Sequence, residues 1–231
     1  MGDQLLATTK RVTFELSNRC PYASEHKLCP LHLQHRGEPV TLPAKVVLGV
    51  MDSLVQRGWK GLIGFHNYSE PTSDPRLFWF IREAHERGFG VLIWSNGWNM
   101  SQILLDELVA QGVTEFHLSA YGDEERLSKL VASVPITIDP GFPLDGRLHL
   151  YEFPENDLRI LCHAPLREMV VTCKGQIALC CLDWRGDHAM GNLYLQSFDE
   201  ILESGILHEV QARLSQGDRY LNLCRRCLQG R

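Results

Sequence analysis

The chain has 231 residues, of which 44% are hydrophobic and 22% charged, and its formal net charge is −5 at pH 7. This length and composition predict a globular protein with a substantial core, built from one α/β domain and a smaller unit. The negative charge argues against a nucleic-acid partner, because neutralising phosphates needs a concentrated surface of lysine and arginine.

The chain shows no sign of membrane insertion or export. It contains no apolar stretch long enough to span a bilayer, and its first residues lack the basic and apolar regions of a signal peptide. We therefore expect a cytoplasmic protein with no membrane partner. In that compartment, its eight cysteines are expected to stay reduced or to bind metal rather than to form disulfides.

Short apolar strands alternate with amphipathic helices through the first part of the chain. The pattern predicts strands at 11–17, 61–66, 91–94, 115–119 and 135–138, and helices at 43–57, 74–88, 101–112 and 123–132. Asp74 and Pro75 are expected to begin the second helix as its N-cap and first-turn proline. Such alternation is typical of a parallel sheet covered by helices, and the units are too few for a closed eightfold barrel. The sequence therefore predicts an open partial barrel.

The pattern changes after about residue 154. Residues 170–179 predict two strands joined by a tight turn at Lys174 and Gly175, and an amphipathic helix is predicted over 198–214. Four cysteines here are far apart in sequence and can meet only through the fold: Cys162, Cys180, Cys224 and Cys227. Four thiolates form the closed ligand shell that an iron–sulfur cluster or a structural zinc requires.

The two other cysteines of this region are expected to be structural. Cys173 lies at the predicted turn, and Cys181 should point away from its neighbour Cys180 if the strand continues through both residues.

Polar segments follow three of the predicted strands at the edge where open parallel sheets bind ligands. They are residues 66–71, 95–97 and 119–122. A carboxylate gathered there with hydroxyl and amide groups would suit a zwitterionic ligand, whose ammonium group needs an anionic acceptor. The alternative is that these segments are simple turns and that Glu70 is a surface acid.

The loop after the first strand is rich in metal-binding side chains. It contains Cys20, His26, Cys29, His32 and His35. Such a loop could hold a zinc ion in a Cys2His2 shell or an iron–sulfur cluster, whereas a single loop histidine is most often only solvated.

Together these segments resemble the radical S-adenosylmethionine (SAM) enzymes that carry an auxiliary SPASM domain or its shortened form, the twitch domain. The resemblance rests on the strand-end segments and on four stretches: Phe65-His-Asn-Tyr-Ser-Glu-Pro71, Cys180-Cys-Leu-Asp-Trp184, Met190-Gly-Asn-Leu193 and Ser197-Phe-Asp-Glu-Ile201. It implies a partial (β/α)6-type barrel over residues 8–150 and a small α+β twitch or SPASM domain over residues 155–231. The four cysteines named above would hold an auxiliary [4Fe-4S] cluster in that second domain.

The resemblance also implies a SAM site and a catalytic [4Fe-4S] cluster, so two clusters in all. Glu70 would hold the methionine ammonium of SAM, and the remaining contacts would come from Ser69, Ser95, Asn96 and Ser119. The family holds its catalytic cluster with a Cys-x3-Cys-x2-Cys loop, but this loop has only two cysteines.

A histidine could supply the missing ligand of that loop. His26 could replace the middle cysteine, which would leave Cys29 and Pro30 in the family's usual third position. His32 could instead replace the last cysteine. We favour His26 on this pattern, and imidazole does ligate iron–sulfur clusters in Rieske centres.

The implied activity is that of an oxidoreductase. It would generate a 5′-deoxyadenosyl radical that abstracts hydrogen from a small-molecule substrate, with the auxiliary cluster as electron acceptor and a flavodoxin or ferredoxin as electron donor. Candidates for the base that removes a proton are His66, Tyr68, Arg167 and Arg185. The alternatives are a maturase that modifies a short peptide, a degenerate relative that keeps only the C-terminal cluster, and a zinc-stabilised binding module.

Overall fold

The structure is a computed structural model that describes residues 2–24, 29–34, 38–141, 153–157 and 159–227. Within these residues the strands are β1 Arg11–Phe14, β2 Leu62–Phe65, β3 Gly90–Ser95, β4 Glu115–Ser119, β5 Ile136–Asp139, β6 Glu168–Val171, β7 Gln176–Ala178 and β8 Gly191–Asn192. The helices are α1 Gly2–Thr8, α2 Pro30–Gln34, α3 Ala44–Gln56, α4 Leu77–Glu86, α5 Gln102–Gln111, α6 Glu124–Leu127, α7 Ala164–Arg167, α8 Phe198–Glu203, α9 Ile206–Ser215 and α10 Asn222–Arg226.

All eight strands belong to one sheet, in the order β5-β4-β3-β2-β1-β6-β7-β8. The strands β1 to β5 pair in parallel with their sequence neighbours, and β6 pairs in parallel with the free side of β1. The strands β7 and β8 continue the sheet as an antiparallel ribbon. The sheet therefore extends from the region predicted to form the barrel into the C-terminal region.

The two faces of the parallel strands differ in character because side chains alternate along a strand. One face is apolar and packs against the helices; its residues Phe14, Ile63, Phe65 and Ile93 are fully buried. The opposite face of the same strands, called the polar face below, carries polar and aromatic side chains. Burial of large apolar side chains stabilises a fold by roughly 1.5–3 kcal/mol each, so the helix-covered face supplies the main core.

The predicted N-cap of α4 is wrong by two residues. The helix begins at Leu77, and its N-cap is Arg76 rather than Asp74. The carboxylate of Asp74 is engaged in the preceding turn, where it accepts from the Arg76 backbone N–H at 2.9 Å and from the Arg76 guanidinium at 2.7 Å. By contrast, Ser101 caps α5 as its position suggests, because its Oγ accepts from the backbone N–H of Leu104 at 3.2 Å.

Two predicted helices are shorter than the sequence suggests. The helix expected over 123–132 ends at Leu127, because the backbone of Val131 instead forms two hydrogen bonds with the side chain of Gln102 on α5. The helix expected over 198–214 is divided in two at Gly205, whose φ of 81° is left-handed. The expectation that Cys181 points away from Cys180 depended on a strand continuing through both residues, but β7 already ends at Ala178.

None of the helices in the described part of the chain combines the length and apolar character needed to cross a membrane.

Candidate functional site

Glu70 lies at the C-terminal edge of the parallel strands and is almost completely buried. Its Oε1 accepts from the Ser95 hydroxyl at 2.8 Å and from the backbone and hydroxyl of Thr72 at 3.1 and 2.6 Å. Its Oε2 accepts from the backbone N–H of Asn96 at 2.8 Å. Burial raises the pKa of Glu70, and these hydrogen bonds oppose that shift. Glu70 is therefore an internal carboxylate and not a surface acid.

Asn96 joins this carboxylate to the cysteine loop. Its side-chain Nδ2 donates to the Sγ of Cys20 at 3.3 Å, while its backbone N–H bonds Glu70. Its Oδ1 accepts from the backbone N–H of Trp98 at 2.9 Å, which fixes the orientation of the amide. The predicted residues Glu70, Ser95 and Asn96 thus form one hydrogen-bonded unit that reaches Cys20.

The other two residues predicted to bind SAM lie outside this unit. Ser69 is buried immediately before Glu70. Ser119 ends β4, where its Oγ accepts from the indole of Trp94 at 3.0 Å.

The N-terminal cysteine loop is only partly described, and His26 and His35 lie outside the described residues. Cys20 and Cys29 are both half-buried, and burial together with the nearby Glu70 and Cys29 raises the pKa of the Cys20 thiol to about 12. His32 Nδ1 lies 2.8 Å from the carbonyl oxygen of Ala23. Metal-binding histidines usually donate one ring nitrogen to a carbonyl in this way, which leaves Nε2 as the ligand atom.

Tyr68 lies between the two cysteine regions. Its ring packs with Leu31 next to the half-buried Cys20 and Cys29. Its hydroxyl donates to the backbone carbonyl of Cys181, beside the predicted ligand Cys180. One tyrosine therefore contacts both regions.

A buried carboxylate, Glu15, supports the position of Tyr68. It accepts from the backbone N–H of Tyr68 and the side chain of Asn67, both at 3.2 Å, and from the backbone N–H of Cys173 at 3.1 Å. Burial raises the pKa of Glu15. Asn67 has a φ of 115°, which is costly for a residue with a side chain.

The four predicted C-terminal ligands line one cavity, together with Cys181. The space inside has a volume of about 460 Å³, including its opening to solvent, and its remaining lining is mostly apolar. Burial and the neighbouring Cys162 and Cys227 raise the pKa of Cys224 to about 12, and burial raises that of Cys180. Cys181 was expected to point away from this group; it lines the same cavity because the chain has already left the strand.

Arg219 organises the last two of these cysteines. Its buried guanidinium donates to the backbone carbonyls of Cys224, at 3.3 Å, and Cys227, and its Nε donates to the carbonyl of Ile160 at 2.8 Å. Arg219 was not predicted from the sequence, because the spacing of an isolated arginine does not indicate such a role.

The donor set fits an iron–sulfur cluster. Four thiols around an enclosed, largely apolar space match the full cysteine ligation of an auxiliary cluster. Across the described ranges, no three His, Cys, Asp or Glu side chains already lie close enough together to hold a single metal ion. At the N-terminal loop, the described ligand atoms are two thiols and the His32 imidazole.

The polar face of the sheet carries a further network that was not predicted from the sequence. Glu168 on β6 forms a bidentate pair with Arg11, accepts from the Thr13 hydroxyl at 2.7 Å and lies 3.1 Å from Nε2 of His66. Burial opposes the shift, yet the hydrogen bonds from His66 and Arg11 and the positive charge of Arg11 hold the pKa of Glu168 well below its usual range. Burial lowers the pKa of His66.

The network continues across β3, β4 and β5. The ring of Trp94 lies 5.1 Å from that of His66 and stacks on His117 with centroids 3.8 Å apart. Nε2 of His117 pairs with Oδ2 of Asp139. Of these two residues, only His117 carried a signal in the sequence, because it lies two residues before Ser119 on one strand and so shares its face. Its pairing with Asp139 depends on the register between two strands, which the sequence does not give.

The remaining base candidates lie apart from this network. Arg185 is exposed, with its guanidinium 5.1 Å from the ring centre of Trp184, and it lines a second cavity together with Glu15, Tyr68 and Cys180. Arg167 is exposed on α7 and lines neither that cavity nor the cysteine cavity.

Comparison with known proteins agrees with this geometry. A model of the SPASM family, described as an iron–sulfur cluster-binding domain, matches residues 162–228, a range that contains the four C-terminal cysteines. The S-adenosyl-L-methionine-dependent 2-deoxy-scyllo-inosamine dehydrogenase of Niallia circulans is 23% identical over 219 residues, which cover 86% of this chain and 85% of the relative.

The fold is also found in solved structures. BtrN in complex with AdoMet and 2-DOIA superposes with a TM-score of 0.80 at 21% identity, covering 96% of this chain and 93% of BtrN. BtrN in an open conformation gives a TM-score of 0.73 at 21% identity, covering 96% and 92%. The predicted mixed α/β fold and the resemblance to radical SAM enzymes with a SPASM domain are confirmed.

Proposed function

From a fold shared with BtrN and a C-terminal segment that matches an iron–sulfur cluster-binding domain, we propose that this chain is a radical SAM oxidoreductase. Its substrate is a small molecule, and the reaction is a dehydrogenation, as the name of the Niallia circulans relative suggests. In such enzymes the catalytic cluster and SAM supply a 5′-deoxyadenosyl radical that abstracts hydrogen, and the auxiliary cluster takes up an electron. Residues 8–150 and 155–231 are the proposed barrel and auxiliary domains.

The observation that carries the proposal is the hydrogen-bonded unit from Glu70 through Asn96 to Cys20. SAM must lie beside the catalytic cluster, and this unit connects a buried carboxylate to a thiol of the loop that would hold it. Oε2 of Glu70 accepts only from Asn96 among the described residues, so it keeps lone-pair capacity for an ammonium group. Ser69, Ser95 and Ser119 are buried hydroxyls at the same edge.

The ligands proposed for the two clusters follow the two cysteine regions. Cys162, Cys180, Cys224 and Cys227 hold the auxiliary cluster, and Cys20 and Cys29 with one histidine hold the catalytic one. The bond from His32 Nδ1 to Ala23 supports His32 for that third position. His26 remains the alternative from the spacing of the loop.

The cellular setting is part of the same proposal. None of the eight cysteines forms a disulfide, which suits a reducing cytoplasm. Cleavage of SAM needs one electron, and a flavodoxin or ferredoxin is the proposed donor. A peptide substrate is the less favoured alternative, because the Niallia circulans relative is named for a small molecule.

The two-cysteine loop favours one competing function, that of a non-catalytic relative holding only the C-terminal cluster. Anaerobic reconstitution followed by iron analysis and incubation with SAM and dithionite separates the two. The enzyme should bind about eight irons per chain and release 5′-deoxyadenosine, because each cluster contributes four. The non-catalytic relative would bind about four irons and release no 5′-deoxyadenosine.

Variants assign the ligands in the same assay. Cys29→Ala should remove about half of the iron and all SAM cleavage, whereas Cys173→Ala, a buried cysteine outside both ligand sets, should leave both unchanged. His32→Ala and His26→Ala then identify the third ligand. Full iron content in both histidine variants would contradict histidine ligation.

A further inference from the structure

The cavity of the auxiliary site is lined by five cysteines, which is one more than a fully ligated cluster uses. Four of them are the proposed ligands, and the fifth is Cys181. A [4Fe-4S] cluster with a complete shell takes one thiolate for each of its four irons. The proposed function does not use Cys181, so the position of its side chain beside the ligands needs an explanation.

A β-turn brings the side chains of Cys180 and Cys181 to the same cavity. In a continuing strand, neighbouring side chains would point to opposite faces. Here β7 has ended at Ala178, and the backbone N–H of Asp183 donates to the carbonyl of Cys180 at 3.1 Å. Consecutive Cα atoms are only about 3.8 Å apart, so the two thiols can reach the same part of the cavity.

The thiols of Cys180 and Cys181 are also close to each other. Burial raises the pKa of the Cys180 thiol most, and repulsion from Cys181 raises it next. Repulsion from Cys224 and Cys162 raises it less. Because repulsion between charges falls with distance, Cys181 is the nearest of these thiols to Cys180.

Hydrogen bonds hold the backbone of this turn in place. The Tyr68 hydroxyl donates to the carbonyl of Cys181. The backbone N–H of Leu182 donates to Sγ of Cys180 at 3.4 Å. The buried carboxylate of Asp183 accepts from two backbone N–H groups of the following turn, both at 3.1 Å. With the backbone fixed, rotation about a side-chain bond is enough to move either cysteine sulfur towards an iron or away from it.

We propose that Cys181 is an alternative ligand of the auxiliary cluster and exchanges with Cys180 on one iron. This inference rests on the proposed function, because it presupposes that cluster. The exchange forms one iron–sulfur bond and breaks another, and a proton moves from the incoming sulfur to the outgoing one. The number of thiolate ligands, the total charge and the oxidation state of the cluster therefore stay the same.

The exchange is confined to one iron of the cluster. The other three ligands, Cys162, Cys224 and Cys227, have no cysteine next to them in the sequence. Cys173 lines the second cavity with Glu15 and is not among the residues that line the cysteine cavity. Loss of Cys180 should therefore be compensated by a neighbouring thiol, whereas loss of another ligand should not.

Anaerobic reconstitution of cysteine variants tests the exchange. All variants are made in the full chain carrying Cys29→Ala, so that the C-terminal cluster is the one counted. Small thiols are removed, because they could occupy an open iron. Cys180→Ala should keep about four irons per chain. The EPR spectrum of its reduced cluster should not respond to cyanide, which binds an iron that lacks a thiolate.

Three further variants complete the comparison. The double variant Cys180→Ala/Cys181→Ala should lose iron or bind cyanide, because no thiol remains at this position. Cys224→Ala, which has no neighbouring thiol, is the matched control and should behave like the double variant. Cys181→Ala alone should keep the closed cluster, because Cys180 remains.

Each outcome decides the proposal. Equal behaviour of Cys180→Ala and the double variant would overturn the exchange, because Cys181 would then contribute nothing to ligation. Loss of iron in Cys181→Ala would overturn it as well, since Cys180 would then be unable to hold the iron. A parent protein without iron would refute the auxiliary cluster of the proposed function, and the exchange with it. A closed cluster in Cys224→Ala would refute the ligand set on which both depend.

Discussion

Replacement of Glu70 by glutamine tests the centre of the proposed SAM site. The change keeps the size of the side chain but removes its charge and turns one acceptor oxygen into a donor. In the best orientation, the amide oxygen keeps the three bonds from Ser95 and Thr72 that Oε1 now receives. The new NH2 group then faces the backbone N–H of Asn96, where two donors cannot bond.

The effect on stability follows from that mismatch. A buried donor left without an acceptor costs about 1–3 kcal/mol. Removal of a buried charge recovers part of this cost, because burial disfavours the ionised form of Glu70 and raises its pKa. We therefore expect a net loss of about 1–2 kcal/mol, which lowers the Tm of a chain of this size by about 2–4 °C per kcal/mol.

The effect on SAM binding should be larger than the effect on stability. A hydrogen bond to a charged group contributes about 1.5–3 kcal/mol, and each 1.4 kcal/mol changes Kd tenfold, so the Kd for SAM should rise by roughly 10- to 100-fold. Anaerobic calorimetry with SAM measures it, alongside the Tm by circular dichroism. Glu86→Gln, on the exposed side of α4, is the control. An unchanged Kd in Glu70→Gln would refute the assignment of this carboxylate to SAM, whatever its Tm.

Three further predictions concern the auxiliary site and the polar face of the sheet. Cys224→Ala should lower the iron content by about four per chain while Cys173→Ala leaves it unchanged, and equal losses in both variants would contradict the ligand set. Arg219→Met should lower iron incorporation and destabilise the protein by about 2–3 kcal/mol in thermal unfolding, because buried carbonyls of both terminal cysteines lose a charged donor. The pKa values of His66 and Glu168 are lowered from 6.5 and 4.5, so the unfolded chain binds protons more readily and stability should fall as pH decreases through those values. When the Tm is measured against pH, His66→Gln should lose less stability than the wild type as the pH falls below 6.5. An unchanged profile would contradict the burial of a neutral imidazole.

Much of the fold was accessible from local pattern alone. The alternation of apolar strands and amphipathic helices predicted a parallel sheet, and Ser101 and Gly112 marked both ends of α5, because capping depends on the residue and its immediate neighbours. The sequence pattern did not predict helix ends at which tertiary contacts compete with helix propensity. Gln102 holds the backbone of Val131 and ends α6 early, although the sequence after Leu127 remains compatible with a helix.

In the candidate site, too, some residues were predicted from the sequence and others were found only in the structure. The meeting of Glu70, Ser95 and Asn96 was predicted because parallel strands end at one edge, which brings their following residues together, while their roles were implied by the family resemblance. His117 and Asp139 were missed, because a histidine and an aspartate on different strands have no fixed spacing in sequence. The contact from Tyr68 to Cys181 was missed for the same reason.

By itself, then, the sequence determined the kinds of element, their order and the ligand types, since these depend on side-chain chemistry and on periods of a few residues. Tertiary structure alone decided which distant groups meet. The pairing of β1 with β6 joins the C-terminal strands to the parallel sheet and brings Glu168 beside His66. The physical reason is that a long-range contact forms only when the whole core packs. The free energy of that packing is a property of the complete fold, so it cannot be read from any one segment of the sequence.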